Sequence, residues 1–186
     1  MQTATDIYEE VIIAGFGGQG IILVGKLLTQ TAMLAGLETT YMPSYGAEMR
    51  GGTANSMIIF ADKPIASPMV TSPSSLVVMN KASADKFAGR VKNNGLIIYN
   101  SSLVDSLAQL DTSIEMLAVA ADDIAVELGN LKVANIVLLG AYLEKSDVLS
   151  VKQAEKALPQ DLAKRYHKTP DINIEALHLG AKLAKK

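Results

Sequence analysis

Cysteine is absent from the 186 residues, and histidine and aromatic residues are scarce. The lack of cysteine excludes disulfides, a thiol nucleophile and cysteine-held zinc or iron–sulfur centres within this chain. Only His167 and His178 remain for histidine chemistry, and we expect His178 to pack at the boundary of the core and His167 to lie in a solvated basic patch. Because the formal net charge is −2, the chain lacks the positive charge that nucleic-acid binding requires.

The chain also lacks a long apolar run. The longest apolar region, residues 133–143, is too short to span a bilayer and is interrupted by Asn135. Acidic residues, among them Glu9 and Glu10, precede the first apolar run, which is the wrong charge for a secretory signal. With 49% hydrophobic and 19% charged residues, we expect one globular domain over residues 1–186, cytoplasmic and without membrane contact.

A glycine-rich segment, the glycine loop (residues 15–20, GFGGQG), lies between two short apolar runs. A strand, a tight glycine turn and a helix start in this order predict a Rossmann-like start of a doubly wound sheet. We expect Gly15 to permit the turn off the strand and Gly20 to let the helix pack close to the strand. The glycines between them keep side chains away from the loop, so the free N–H groups could bind an anion or a carbonyl.

The motif lacks the companions of a nucleotide site. A dinucleotide fingerprint requires an acid at the end of the second strand, about 20 residues on, to bind the ribose. The second strand, residues 38–42, instead runs into Pro43, and Glu38 precedes it. No Gly-Lys-Ser/Thr phosphate loop follows Gln19 either. Two interpretations remain open: a structural turn, or a loop that faces an anionic ligand or a partner subunit.

A second unusual segment, the Arg50 segment (residues 43–52), follows the second strand and reads PSYGAEMRGG. Because loops after adjacent parallel strands meet at the carboxyl edge of a sheet, we expect it to neighbour the glycine loop. Arg50 could grip a carboxylate or phosphate, or Glu48 could be its structural ion-pair partner. The candidate ligand- or partner-facing residues are Gly15, Gly17, Gly18, Gln19, Gly20, Ser44, Tyr45, Glu48, Arg50, Gly51, Gly52 and Thr53. No residue is assigned a catalytic or metal-binding role.

Alternating strand and helix patterns predict an α/β fold, an open, largely parallel (mixed) sheet with helices on both faces. Residues 53–60 are expected to form a strand, with residues 65–70 returning as a short edge partner in one β-hairpin insertion. Ser150 and Gln153 fit a capping box that opens a helix ending before Pro159.

The glycine loop, residues 44–53 and the Ile-Ala-Ser-Pro segment at 65–68 together resemble the gamma subunit of 2-oxoacid:ferredoxin oxidoreductases. The resemblance covers most of the chain, and the Ser-Tyr-Gly form is more similar to the 2-oxoglutarate type than to the pyruvate type. The chain has Ala47 where that family usually has proline, and Ser56 where it often has cysteine. The alternatives are the related indolepyruvate enzyme, a stand-alone nucleotide-binding α/β module, and a purely structural subunit.

The resemblance implies a hetero-oligomeric oxidoreductase that decarboxylates a 2-oxoacid with coenzyme A, giving acyl-CoA, carbon dioxide and reduced ferredoxin. It also implies thiamine diphosphate with Mg²⁺ between alpha and beta subunits, and iron–sulfur clusters in other subunits, including an optional ferredoxin-like delta subunit. This chain would contact ferredoxin only indirectly. It would carry no cofactor of its own and would be catalytically silent alone.

Overall fold

The computed structural model describes residues 6–45, 53–107, 110–162 and 170–185. Six strands are present in these ranges: β1 (Tyr8–Phe16), β2 (Glu38–Tyr45), β3 (Thr53–Ala61), β4 (Ser75–Val78), β5 (Leu96–Asn100) and β6 (Glu115–Val119). Six α-helices accompany them: α1 (Ile21–Leu34), α2 (Lys81–Phe87), α3 (Ala121–Glu127), α4 (Ala134–Ser146), α5 (Val151–Leu162) and α6 (Pro170–Ala184). Short 3₁₀ turns at Ala88–Arg90 and Leu131–Val133 follow α2 and precede α4.

The strands form one open sheet in the order β2-β3-β1-β4-β5-β6. Strands β1, β4, β5 and β6 are parallel to one another, whereas β3 runs antiparallel to both of its neighbours. The expected α/β class with a mixed, largely parallel sheet is therefore confirmed. Since β3 reverses direction between them, β1 and β2 end at the same edge of the sheet.

The hairpin lies elsewhere than the sequence pattern predicted. It joins β2 to β3, whose antiparallel register runs from Glu38 opposite Ala61 to Tyr45 opposite Ala54. Residues 65–70 form no strand, so the predicted edge partner after β3 is wrong. The second strand also continues past Pro43, because β2 is an edge strand in which a missing N–H can face away from the ladder.

Helices cover both faces of the sheet. Along β1, Val11 and Ile13 belong to the core cluster beneath α1 and α4, whereas Ile12 and Ala14 belong to the cluster on the opposite face, which includes Phe87 of α2. A strand buried on both faces reads as a continuous apolar run, as β1 does in the sequence. On the first face, α5 packs against α1 and α6 packs against α4, which adds an outer layer.

Helix α4 is the centre of that thicker side, since every residue from 134 to 143 is buried. Helix α6 packs across it at Gly140 and Gly180. A Cβ on Gly140 would overlap the backbone carbonyl of Leu177, and a Cβ on Gly180 would overlap that of Val137. The longest apolar region of the sequence is therefore a helix enclosed by protein on all sides. Within the described ranges, no helix combines the length and apolar character needed to cross a bilayer.

The capping box at the start of α5 is confirmed. The backbone N–H of Ser150 donates to Gln153 Oε1 at 2.7 Å, and the N–H of Gln153 donates to Ser150 Oγ at 3.3 Å. The predicted end of this helix is wrong, because α5 continues past Pro159 to Leu162. A proline inside a helix removes one backbone hydrogen bond, which a helix packed against its neighbours tolerates better than an isolated one.

One carboxylate, Glu9, is partly buried at the start of β1. Its Oε2 accepts a hydrogen bond from Ser74 Oγ at 2.6 Å. Burial raises the pKa of Glu9 above the ordinary value for glutamate, and the Ser74 hydrogen bond offsets only part of that rise. The protonated form of Glu9 is therefore favoured by folding.

A Glu9→Gln variant should gain stability relative to the parent as the pH rises. For a group whose folded pKa is raised, the favourable contribution is complete below the unfolded pKa and is lost as the pH rises through the folded pKa. Because the substituted carboxamide stays neutral, only the parent loses this contribution. Urea unfolding at steps between about pH 4 and pH 8 measures the difference. Parallel profiles for parent and variant would contradict it, and the exposed Glu175→Gln serves as the control.

Candidate functional site

The glycine loop and the Arg50 segment leave the sheet beside each other at one edge. Phe16, the last residue of β1, pairs directly with Thr53, the first residue of β3, and Gly15 pairs with Ala54. Tyr45, the last residue of β2, lies opposite Ala54 on the other side. The two loops thus leave the sheet beside each other, but the predicted reason is wrong, because β1 and β2 are not adjacent and the antiparallel β3 lies between them.

The candidate residues of the Arg50 segment are described only in part. Ser44 and Tyr45 are exposed at the end of β2, with Tyr45 70% exposed, and Thr53 is half-buried. Some other sequence-predicted residues lie outside the described ranges; they are Glu48, Arg50, Gly51, Gly52 and His167.

The glycine loop presents an exposed tip on a constrained base. Gly17 and Gly18 are exposed. Gly20 has a φ of +74°, in the left-handed region, and a Cβ there would overlap the side-chain amide of Asn135 in α4. The close approach at Gly20 is thus to α4, not to the strand as the motif predicted. At Gly15 the reason for glycine is also space, because a Cβ would lie 2.7 Å from Cδ1 of Ile21.

Gln19 ties the glycine loop to the next strand. Its Oε1 accepts hydrogen bonds from the backbone N–H of Phe16 at 2.7 Å and from Nδ2 of Asn80 at 2.9 Å. Asn80 follows β4 and caps α2, since its Oδ1 accepts from the N–H of Ser83 at 2.9 Å. One carboxamide oxygen therefore fixes the shape of the loop and joins it to the helix on the other face.

This bond spans the point at which ligands bind in many open α/β sheets. Strands β1 and β4 are parallel neighbours, but α1 packs on one face of the sheet and α2 on the other. The carboxyl ends of two such strands define a topological switch point, where the crevice between the diverging loops receives a ligand. Here the side chains of Gln19 and Asn80 bridge that crevice, so a nucleotide phosphate would have to displace a bond already made.

Two asparagines at strand ends were missed as candidates, although the sequence carried a signal for them. Asn80 and Asn100 each stand directly after an apolar strand run. Asn100 is fully buried, its Oδ1 accepts from the N–H of Ala121 at 3.1 Å, and its Nδ2 donates to Asp122 Oδ1 at 2.7 Å. Asn80 is the N-cap of α2, which follows it directly, whereas Asn100 accepts from the first N–H groups of α3 although β6 lies between them in the chain.

A third residue that the sequence analysis missed, Asn135 of α4, contacts the last residue of the glycine loop. It is 2% exposed, and its Nδ2 donates to the carbonyl oxygen of Gly20 at 3.1 Å. Asn55 in β3 is buried near the same edge, and its Oδ1 finds no hydrogen-bond partner among the described residues. In the sequence Asn135 was visible only as an interruption of an apolar run, because its contact lies 115 positions away.

Tyr41 joins β2 to the first turn of α1. Its hydroxyl donates to the carbonyl oxygen of Ile22 at 2.9 Å. Burial raises the pKa of Tyr41 above that of an exposed tyrosine, so the hydroxyl stays protonated and the bond persists at neutral pH. This tie holds the hairpin that carries the Arg50 segment against the helix that follows the glycine loop.

The edge therefore offers backbone amides, carboxamides and an exposed tyrosine. In the part of the chain that the structure describes, no three His, Asp or Glu side chains lie close enough together to hold a metal ion. Groups of this kind bind and orient a neighbour, whereas acid–base chemistry requires titratable side chains that converge on a reacting atom.

The chain is similar in sequence and in structure to known proteins. The family model described as pyruvate ferredoxin/flavodoxin oxidoreductase matches residues 10–183. The 2-oxoglutarate synthase subunit KorC of Methanocaldococcus jannaschii is 33% identical over 96% of this chain and 95% of its own length. The ketoisovalerate oxidoreductase subunit VorA of Methanothermobacter marburgensis is also 33% identical, but the chain spans only 36% of its length. The crystal structure of the gamma subunit of a keto/oxoacid ferredoxin oxidoreductase from Geobacter sulfurreducens is similar with a TM-score of 0.80 at 29% identity, covering 95% of this chain and 98% of that one.

Proposed function

The chain belongs to the pyruvate ferredoxin/flavodoxin oxidoreductase family as a gamma-type subunit, and from this we propose that its complex acts on 2-oxoglutarate. In the proposed reaction the 2-oxoacid loses carbon dioxide and its acyl group passes to the thiol of coenzyme A. The two electrons released by this oxidation reduce ferredoxin.

The choice of 2-oxoglutarate rests on two similarities. The relative named 2-oxoglutarate synthase subunit KorC matches this chain along nearly its whole length, and the chain carries the Ser44-Tyr45-Gly46 form of the loop motif. VorA, named for ketoisovalerate, is equally identical over the shared region. Ketoisovalerate, pyruvate and indolepyruvate are therefore the competing substrates.

We assign this chain a supporting part in that reaction. It has no cysteine with which to hold an iron–sulfur cluster, and its described residues offer no metal-binding group. Thiamine diphosphate, Mg²⁺ and the clusters are accordingly proposed for the alpha and beta subunits and an optional delta subunit. The gamma chain would complete the assembled active site, near the path of coenzyme A.

The observation that carries this role is the pairing of Phe16 with Thr53. It places Phe16, just before the exposed tip of the glycine loop, beside the first residue after the Arg50 segment, so both loops leave the sheet at one edge. The backbone amides of a glycine turn at a helix start suit a carboxylate or phosphate of a ligand, or the backbone of a partner, and we propose that Arg50 adds a charged contact. A purely structural role for both loops is the competing interpretation, and the hydrogen bonds of Gln19 within the loop favour it.

An Arg50→Ala variant, co-expressed with the alpha and beta subunits, should lower acyl-CoA formation by about 10-fold or more, since charge-assisted hydrogen bonds contribute about 1.5–3 kcal/mol. Arg50→Lys should recover only part of the rate, because lysine cannot form the two-pronged contact. The exposed Lys63→Ala is the control and should behave as the parent. Unchanged assembly together with unchanged activity would contradict the role, leaving the structural interpretation.

The same co-expressed complex distinguishes between the candidate substrates. Acyl-CoA formation from 2-oxoglutarate, ketoisovalerate, pyruvate and indolepyruvate is compared at equal concentration, and the proposal requires 2-oxoglutarate to give the highest kcat/KM. A stand-alone nucleotide-binding module is tested on the chain by itself. If NAD, FAD or ATP at several times its Kd raised the melting temperature, that rival would be favoured.

A further inference from the structure

A groove lies on the outer side of the molecule, far from the glycine loop in the chain. It has a volume of about 680 Å³ and opens between the end of α4, the α4–α5 connection and α6. We name it the α5–α6 groove. Its floor is apolar, formed by Leu143, Leu149, Val151 and Ala181. Ligand sites commonly occupy volumes of this order and combine such a floor with a few polar groups.

Cations dominate the rim of the α5–α6 groove. Lys152 and Lys182 are exposed, and neither has an ion-pair partner among the described residues. Lys185 is the third lysine of the rim, with its Nζ 4.0 Å from Oε1 of Glu144. Asp147 is the other acid that lines the groove. The rim therefore carries three lysines and two carboxylates, and one of these carboxylates, Glu144, is the partner of Lys185.

His178, expected to pack at the core boundary, is instead exposed on this rim. Its Nε2 lies 2.6 Å from Oε1 of Glu155 in α5, so the two side chains join α5 to α6 beside the groove. Glu155 is thereby directed to the histidine, and Lys152 and Lys182 remain the cations available to a ligand.

Charge is unevenly distributed along the sequence. Residues 145–186 hold nine of the 17 Lys and Arg residues but only five of the 19 Asp and Glu residues. The first 144 residues are correspondingly acidic. The excess lies mostly outside α5 and α6, since these two helices themselves hold three lysines and four acidic residues. The attraction of the groove for anions therefore rests on the lysines of its rim, not on the charge of the helices as a whole.

We propose that the α5–α6 groove binds a small organic anion, with a carboxylate or phosphate head at Lys152 and Lys182 and an apolar body on Leu143 and Leu149. The apolar floor would contact the apolar body of the ligand, and the two lysines would contact its charged head. This site is separate from the edge that carries the glycine loop, so it extends the function of the chain beyond the proposed subunit role.

The test uses the full chain and four probes: octyl phosphate below its critical micelle concentration, octanoate, octanol and inorganic phosphate. Isothermal titration should show octyl phosphate and octanoate binding at least about 10-fold more tightly than octanol or phosphate, because only they engage both floor and rim. In the Lys152→Ala/Lys182→Ala double variant, the two anionic amphiphiles should lose about 10-fold or more in affinity, whereas octanol should not change.

Lys132→Ala is the matched control, since Lys132 is exposed just before α4, about 16 Å of helix away from the groove. It should bind all probes as the parent does. Equal affinity of parent and double variant would overturn the proposal, as would octanol binding as tightly as octyl phosphate. A further arm repeats the titration on the chain assembled with its alpha and beta subunits. Loss of binding there would mean that a partner covers the groove, and it would also overturn the proposal.

Discussion

Gly180→Ala should destabilise the fold by about 3–5 kcal/mol, near the upper end of what single core substitutions cost. The added methyl group would overlap the backbone carbonyl of Val137, and a backbone atom cannot rotate aside as a side chain can. Helices α4 and α6 would have to separate along their length. Because α4 is buried on all sides, that separation disturbs the whole core on this face of the sheet.

Gly140→Ala should have an effect of the same size, because Gly140 meets the carbonyl of Leu177 in the reciprocal contact. The control is Gly89→Ala, where nothing lies within 4 Å of the added methyl group. Urea unfolding measures the free energy of unfolding, and the soluble fraction on expression is a second readout for a variant that fails to fold. A Gly180→Ala protein within about 1 kcal/mol of the parent would show that the helices can part at little cost.

Gly20→Ala should cost about 2–4 kcal/mol of stability, because two effects add at one position. The left-handed φ of +74° costs a residue with a Cβ about 1–2 kcal/mol. The new Cβ would also overlap Nδ2 of Asn135, which donates to the carbonyl of the same residue. The glycine loop and the start of α1 would shift together.

A matched variant separates the two effects. Gly36 has a φ of +83° with open space around it, so Gly36→Ala should cost only the free energy of holding a residue with a Cβ in the left-handed region. In an Asn135→Ala background, the clash at position 20 is relieved, and Gly20→Ala should then cost no more than Gly36→Ala. The double-mutant cycle measures this coupling by urea unfolding. If the two substitutions at positions 20 and 135 were simply additive, the contact with Asn135 would not be the cause.

Several features of the fold were readable from local sequence. The apolar run before the glycine loop indicated the strand β1, and the capping box of Ser150 and Gln153 marked the start of α5. These signals are local because each involves residues within one turn or one strand.

The prolines show where local rules fail. Pro43 was expected to end the second strand and Pro159 to end a helix, yet β2 and α5 both continue past them. Whether a missing N–H matters depends on whether that group would have met a ladder partner, solvent or a packed neighbour. That partner is chosen by the tertiary arrangement. The hairpin was misplaced for the same reason. Residues 65–70, which follow β3, were predicted to pair with it, whereas β3 pairs with β2, which precedes it.

The sequence by itself determined the alternating α/β pattern, the glycine loop, the Arg50 segment and, through them, the family. Only the tertiary structure decided why particular residues are needed. Gln19 meets Asn80 across 61 positions and Gly20 meets Asn135 across 115. Hydrophobic periodicity reports which side of an element is apolar, but it does not say which distant backbone will approach that side. The close contacts at Gly20 and Gly180 depend on such approaches, so they could be found only once the helices were in place.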